Sequence, residues 1–157
     1  MKLIHRFLVE IDERGPKDGD ILEADEITPL VKARLLQTSA DTLYSLGLVE
    51  AATRPQEEAV AIRRRELGDN HQDTLISICN LGFLLQNQGK LEEAERYLRE
   101  ALDGGRRVLG DEHPDTLTSM NYMGLLLQAQ GKLDEAELYY REALEKRRRV
   151  LGAAHPD

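Results

Sequence analysis

The sequence predicts an all-α protein, folded as a right-handed superhelical solenoid of antiparallel helix pairs. The first observation is an internal repeat, because residues 67–108 and 109–150 align without a gap and 27 of the 42 aligned residues are identical. The second is that LGAAHPD at residues 151–157 begins a further copy. Repeats of this length stack so that each unit buries its apolar face only against its neighbours, which predicts a solenoid.

The composition agrees with closely packed helices. Only 4% of the residues are aromatic and tryptophan is absent, so the core must consist of leucine and alanine rather than the aromatic and β-branched residues that sheets favour. The net charge of −8 argues against nucleic acid or an anionic membrane as the main partner. No apolar run approaches the roughly 20 residues of a membrane span. Cys79 is the single cysteine, which excludes an intramolecular disulfide and favours a cytoplasmic location.

The first part of the chain is predicted to cover the solenoid. Residues 2–14 have apolar side chains at helical spacing, and a turn cluster from Gly15 follows, so we expect residues 1–24 to form an N-terminal capping helix and loop. The alternative is the remnant of an earlier repeat. The solenoid then occupies residues 25–157, with Thr28 as the N-cap of a helix that ends near Gly47.

Residues 25–66 are predicted to form a degenerate first repeat. When the chain is shifted by one period, Leu43 aligns with Leu85, but Pro55 falls inside the second helix of the pair. A proline there costs about 3 kcal/mol. We therefore expect this helix to start late, after a break or kink, with Thr53 as N-cap and Gln56 completing a capping box.

Each clear repeat, 67–108 and 109–150, is predicted to form a helix, a tight turn and a second helix. The first helices start in the His-x-Asp-Thr segments and stop at Gly89 and Gly131, since glycine readily adopts positive φ. The second helices begin with acidic residues and end with arginines, which complements the helix dipole. Small residues in both helices predict close contact between backbones; they are Gly82, Gly124, Ala94, Ala101, Ala136 and Ala143.

One departure between the two clear repeats concerns the end of a helix. Gly104 and Gly105 stand where the following copy has Lys146 and Arg147. Two adjacent glycines are expected to weaken these last turns by roughly 1–2 kcal/mol. We expect early amide exchange over residues 104–108.

The pattern resembles the tetratricopeptide repeat signature. The residues that carry the resemblance are Leu81, Gly82, Leu85, Ala94, Leu98 and Ala101, with Met123, Gly124, Leu127, Ala136, Tyr140 and Ala143. The 42-residue period, with the segments LG-x-x-H-P-D-T and LLQ-x-QGKL-x-EAE, is most similar to the kinesin light chain subgroup. The match is strong over residues 67–157 and weak over residues 28–66.

This resemblance implies a concave groove, lined by the first helices, that receives an extended peptide or a partner helix. The groove positions that it implies are Arg34, Gln37, Asp41, Tyr44, Ile76, Cys79, Asn80, Phe83, Gln86, Asn87, Thr118, Asn121, Tyr122, Leu125, Gln128 and Ala129. The amides among them can donate to and accept from a peptide backbone of any sequence. The lysines and arginines of the carboxylate-clamp subgroup are missing here, as Cys79 and Phe83 show, which argues against capture of a C-terminal carboxylate. Solvated helix surface is the alternative for the amides.

Other motifs carry no chemistry that the sequence supports. The tripeptide HPD at residues 113–115 and 155–157 is typical of J-domains, but its recurrence at the repeat period favours a helix start. One histidine per repeat is too widely spaced for a metal site, and Gly89-Lys90 lacks the spacing of a phosphate loop. We expect no cofactor, no metal and no catalytic residue, hence a protein that is not an enzyme. The partner is expected to be a protein or peptide.

Self-association is the second hypothesis for function. Another helix would be expected to cover the last one, at Leu133, Ala136, Tyr140 and Leu144. Terminal repeats need a polar cap for solubility. This face could therefore pair with a second copy of the chain, which would make a homo-oligomer. A third hypothesis is the regulatory fragment of a larger protein.

Overall fold

The described part of the chain is a series of helices joined by short turns. The computed structural model describes residues 28–154, so the predicted capping helix and loop over residues 1–24 lie outside the described residues. None of the helices it describes is long and apolar enough to cross a membrane. In chain order they are α1 (Pro29–Ser45), α2 (Val49–Leu67), α3 (Gln72–Asn87), α4 (Leu91–Val108), α5 (Pro114–Ala129) and α6 (Leu133–Ala154).

These helices form the pairs α1–α2, α3–α4 and α5–α6, and each second helix also packs against the first helix of the next pair. In addition, α3 and α5 contact each other directly, so first helices lie side by side. We call the packing of α1 and α2 on α3 the first joint, and the packing of α3 and α4 on α5 the second joint. The predicted all-α solenoid of helix pairs is confirmed for this part of the chain.

The first helices begin and end as predicted. Thr28 Oγ1 accepts a hydrogen bond from the Val31 amide at 3.4 Å, and Nδ1 of His71 and of His113 accepts one from the amide two residues later. These bonds satisfy donors that have no partner inside the helix. The His-x-Asp segments therefore serve as helix starts. The glycines after the first helices all have positive φ: Gly47 (77°), Gly89 (76°) and Gly131 (78°).

The predicted late start of α2 at Thr53 is wrong, because α2 begins at Val49 and contains Pro55. The Thr53 hydroxyl donates to the carbonyl of Val49 at 3.3 Å, and Gln88 Nε2 from beyond α3 donates to the same carbonyl at 3.2 Å. The next repeat thus adds a hydrogen bond to the first turn of α2, whereas the bond that Pro55 removes is the one to the Ala51 carbonyl. Gln56, which was expected to complete a capping box, is fully buried in the first joint.

The predicted close contacts between helices are confirmed. A Cβ added at Gly82 would lie 2.7 Å from Leu98 Cγ, and one added at Gly124 would lie 2.6 Å from Tyr140 Cε1. Real Cβ atoms do not approach this closely, so these positions need glycine as packed here. The small residues of the second helices are buried, namely Ala94, Ala101, Ala136 and Ala143.

The adjacent glycines of α4 have a packing role that the sequence did not reveal. The helix continues through them to Val108, and both are buried. A Cβ at Gly104 would lie 2.4 Å from Leu75 Cδ2, and one at Gly105 would lie 2.9 Å from Thr116 Oγ1. The glycines therefore make room for side chains of α3 and α5. Early amide exchange at the end of α4 stays a prediction.

One repeat earlier, the large and the small residue of the contact between Leu75 and Gly104 are exchanged between the two helices. There the aligned pair is Ala33 in α1 and Ile62 in α2, which belong to one buried cluster. The small residue stands on the first helix in one repeat and on the second helix in the next. Each of these two helix pairs therefore combines one large and one small residue at this contact.

The last helix does not end at residues 147–149 as expected. It continues to Ala154, so residues 151–154 extend α6 and the arginines are not in its last turn. In the earlier repeats Gly68 and Gly110 adopt φ of 84° and 94° and lead into the next pair. Gly152 instead stays helical, and continued helix supplies partners for backbone carbonyls that a turn would leave unsatisfied.

A repeated ion pair connects the second helices on their outer side. Arg64 Nη2 lies 2.6 Å from Glu100 Oε1, and the aligned Arg106 Nη2 lies 3.0 Å from Glu142 Oε1. Lys146 Nζ also contacts Glu142, at 2.6 Å. Exposed pairs contribute little individually, but Glu142 serves two cations at once.

Glu142 is expected to make stability depend on pH. The hydrogen bond from Lys146, followed by the charges of Lys146 and Arg106, lowers the pKa of its carboxyl group. A carboxyl whose pKa is lower in the folded state stabilises the fold above its unfolded pKa, and this contribution disappears as pH falls through the folded value. Glu142→Gln should therefore lower the urea midpoint at pH 7. The difference should begin to shrink at about pH 4 and should be gone at a pH below the lowered pKa of the folded state. The exposed Glu57→Gln is the control, and an equal difference at both pH values would contradict the expectation.

Candidate functional site

The exposed face of α1, α3 and α5, which we call the first-helix face, carries most of the implied groove positions. Arg34, Asp41, Asn87, Gln128 and Ala129 are exposed, and Gln37, Ile76, Asn80, Phe83, Gln86, Thr118, Asn121 and Tyr122 are half-buried. Tyr44 and Leu125 are 36% and 38% exposed. The structure buries Cys79 instead, with 4% of its surface exposed.

Three aromatic rings form a continuous row across this face. The centroids of Tyr44 and Phe83 lie 5.2 Å apart in an edge-to-face arrangement, and those of Phe83 and Tyr122 lie 4.4 Å apart and stacked. The rings come from α1, α3 and α5 and do not occupy aligned repeat positions, so the row crosses the helices diagonally. Such pairs add roughly 0.5–1.5 kcal/mol beyond the area they bury. Burial chiefly raises the pKa of the Tyr122 hydroxyl, so this hydroxyl stays protonated at neutral pH.

Several of the implied amides already have partners within the protein. Asn87 Nδ2 donates to the Phe83 carbonyl at 2.7 Å, and Gln128 Oε1 accepts from the Tyr140 hydroxyl at 3.2 Å. Gln86 Oε1 is buried and has no hydrogen-bond partner within residues 28–154. The amides thus differ in their freedom to contact a ligand, a distinction that their repeat positions alone do not give.

The first joint contains a buried polar network. Gln37 Oε1 accepts hydrogen bonds from Gln56 Nε2 at 3.2 Å and from Arg63 Nη1 at 3.1 Å. Arg63 Nη1 also contacts Ser77 Oγ, and Gln56 Nε2 donates to the Ser77 carbonyl at 2.8 Å. Burial lowers the pKa of Arg63, while the charges of two nearby aspartates oppose the shift. The sequence reasoning missed Gln56 and Arg63, because neither lies on a first helix.

The second joint contains a cavity of about 40 Å³ whose lining includes three residues of the first-helix face, Ile76, Asn80 and Thr118. The half-buried Asp115 and the buried Cys79, Ser119 and Gly105 also line it. Ser119 Oγ lies 3.3 Å from Cys79 Sγ. Of these residues, Asp115, Ser119 and Gly105 were not singled out as binding residues from the sequence.

Cys79 is expected to be chemically inert in the folded protein. Burial raises the pKa of its thiol to about 12, against the opposing hydrogen bond from Ser119. Since the thiolate is the reactive form, a disulfide reagent at pH 8 should modify the native chain at least about 100-fold more slowly than the chain unfolded in urea. Equal rates in the two states would show that Cys79 is accessible and contradict the structure.

The residues predicted for self-association differ in exposure. Leu133 and Leu144 are 63% and 50% exposed. Ala136 is buried, and Tyr140 is half-buried with its ring packed over Gly124. The association surface stays a prediction, for which Leu133 and Leu144 offer the most open side chains.

Within residues 28–154, no group of three or more histidine, cysteine, aspartate and glutamate side chains is arranged to hold a metal ion. What the described face offers is an aromatic row, partly free amides and a small cavity with mostly apolar walls. These groups can contact another molecule through stacking, apolar packing and hydrogen bonds.

The chain is similar to solved solenoid structures. A family model described as tetratricopeptide repeat matches residues 32–102 and 75–149. The crystal structure of BtubC (BKLC) from P. vanneervenii has a TM-score of 0.73 at 21% identity, covering 94% of this chain and 54% of that one. A protein of the kinesin light chain type from Podosopora anserina, with nearly identical TPR-like repeats, has a TM-score of 0.72 at 26% identity, covering 82% of this chain and 60% of that one.

A substituted form of the Podosopora anserina protein has a TM-score of 0.66 at 24% identity, covering 76% of this chain and 56% of that one. The chain thus spans little more than half the length of these structures. None of the curated proteins compared with the chain matches it.

Proposed function

The chain belongs to the tetratricopeptide repeat family, in its kinesin light chain-like type, and from this we propose that it is a non-catalytic scaffold in the cytoplasm. Repeats of this family generally mediate protein–protein interactions. In this proposal the first-helix face binds an extended peptide or a helix of a partner protein.

The observation that carries the proposal is the row formed by Tyr44, Phe83 and Tyr122. The rings lie side by side across three helices and stay partly open to solvent. Partly exposed aromatic side chains supply much of the binding energy at protein interfaces, because they bury large area at little cost in conformational entropy. A segment laid along the row would contact all three helix pairs at once.

The surroundings of the row fit a peptide ligand. Leu125 adds apolar surface on α5, and Asn80 and Asn121 on the same face are half-buried. An amide can donate to and accept from a peptide backbone regardless of its sequence. The face therefore combines apolar contact for side chains with hydrogen bonds for the main chain.

A peptide-array screen tests the proposal. The wild type is compared with the double variant Phe83→Ala, Tyr122→Ala, and with Asn80→Ala, Asn121→Ala to measure the contribution of the amides. Leu138→Ala is the matched control, because Leu138 is 63% exposed on α6, away from this face. We expect the aromatic double variant to lose binding at least about 10-fold, as for removal of interface anchors, and the control to retain it.

Two results would contradict peptide binding on this face. One is that peptides bind the aromatic double variant as well as the wild type, with both proteins shown to be folded by circular dichroism. The other is that no peptide binds the wild type at all.

Self-association through α6 is the second candidate, and one comparison supports it. Leu102 is 2% exposed because α5 covers it, whereas the aligned Leu144 is 50% exposed. Sedimentation analysis tests this alternative, with Leu144→Glu as the variant expected to remove any dimer. A monomer at all concentrations would exclude self-association.

A further inference from the structure

The two joints differ at one aligned position in a way that leaves the second joint partly empty. Arg63 in α2 aligns with Gly105 in α4, one repeat later. The guanidinium of Arg63 lies inside the first joint, where it contacts Gln37 and Ser77. At Gly105 no side chain exists to do the same, and the cavity of about 40 Å³ lies there.

The surroundings of the guanidinium are partly preserved in the second joint. Ser77 aligns with Ser119, and Asp73, whose charge favours the protonated form of Arg63, aligns with Asp115. Both Ser119 and Asp115 line the cavity. A hydroxyl and a carboxylate like those near the Arg63 guanidinium in the first joint are therefore present in the second joint. At this position the second joint has no guanidinium of its own.

Asp115 lines this cavity, and its carboxylate contacts Gln72 and His113. Its carboxylate accepts a hydrogen bond from Gln72 Nε2 at 2.8 Å, which is neutral. Nδ1 of His113 accepts a hydrogen bond from the Asp115 amide at 3.2 Å and lies 3.6 Å from the Asp115 carboxylate. Among residues 28–154, no lysine or arginine lies within 4.0 Å of the Asp115 carboxylate.

We propose that the cavity beside Gly105 receives the side chain of an arginine from the bound partner, in the place that Arg63 occupies one repeat earlier. This inference rests on the proposed binding at the first-helix face, three residues of which, Ile76, Asn80 and Thr118, line the cavity. A water needs roughly 10–15 Å³ of such space, so the cavity holds about three water-sized groups, the scale of a guanidinium head. The planar, weakly hydrated guanidinium also suits apolar walls such as Ala101 and Cys79 better than a lysine ammonium does.

The direct test is a titration of the labelled protein with N-acetyl-arginine amide, followed by amide NMR shifts. N-acetyl-citrulline amide, which has nearly the same shape and no charge, is the matched ligand. We expect saturable shifts at Gly105 and Ser119 with a Kd on the order of millimolar, as for a ligand of this size, and at least about 10-fold weaker binding of citrulline.

Gly105→Arg should abolish these shifts, because its side chain would fill the cavity as Arg63 fills the first joint. Asp103→Arg adds the same charge on the exposed side of α4 and should leave binding intact. If Gly105→Arg fails to fold, Asp115→Asn takes its place and should weaken arginine binding at least about 10-fold, since it removes the charge.

Equal binding of the arginine and citrulline ligands, or no saturable shift at these residues, would overturn the inference. Such a result leaves peptide binding on the first-helix face standing if the array still detects peptides. Conversely, arginine binding in the cavity without any peptide binding would contradict the proposed function, while the arginine site in the cavity would stand.

Discussion

Gly104→Ile is expected to destabilise the chain by about 3 kcal/mol, at the upper end of what overpacking costs. A Cβ alone would lie 2.4 Å from Leu75 Cδ2, and isoleucine adds three further carbons to the same space. Leu75→Ala should cost roughly 2–5 kcal/mol, because it removes a buried side chain and leaves a cavity. Either single variant therefore threatens folding.

The double variant Leu75→Ala, Gly104→Ile should be much more stable than the sum of the two changes implies. It recreates the contact between Ala33 and Ile62 within the pair α1–α2. We expect a coupling free energy of roughly 2–3 kcal/mol from a double-mutant cycle in urea. Asp103→Ile combined with Leu75→Ala is the control, since Asp103 is exposed. Additivity within about 0.5 kcal/mol would contradict direct contact between the two positions.

The fold could be predicted because the sequence signals for the helix boundaries occur in both clear repeats. The His-x-Asp starts and the glycine stops are local features, and local hydrogen bonds determine them. The start of α2 was predicted wrongly for the opposite reason. Gln88, which donates to the first turn of α2, belongs to the next repeat, and no pattern within residues 25–66 indicates its support.

The residues of the candidate site could be predicted from the sequence, but the contacts between them could not. Tyr44, Phe83 and Tyr122 were each expected on the first-helix face, yet their row is diagonal and so does not follow the repeat period. From the sequence, the two glycines of α4 were expected only to weaken this helix, because glycine is conformationally free. Their effect depends on Leu75 and Thr116, which are far away in sequence.

Differences between aligned positions are informative here because the backbone repeats while the side chains do not. Arg63 and Gly105 occupy aligned positions in successive helix pairs. The contacts of Arg63 therefore indicate which chemical group is missing beside Gly105. Neither residue stands out in the sequence alone. Arg63 belongs to an arginine cluster that is ordinary at the end of a helix, and Gly105 reads as a weak point of α4.

Arg63→Gly is expected to destabilise the chain by roughly 2–4 kcal/mol, since it removes hydrogen bonds from a charged donor and adds a glycine inside α2. Gln37 Oε1 and Ser77 Oγ would then face a space like that beside Gly105. Ethylguanidinium should restore part of the lost stability by binding there, about 1.4 kcal/mol at ten times its Kd. The measurement is thermal unfolding of variant and wild type, with ethylammonium as the matched cation. The wild type should gain less stability from ethylguanidinium, because only its second joint is open. Equal effects of the two cations on the variant would show that the first joint does not select a guanidinium.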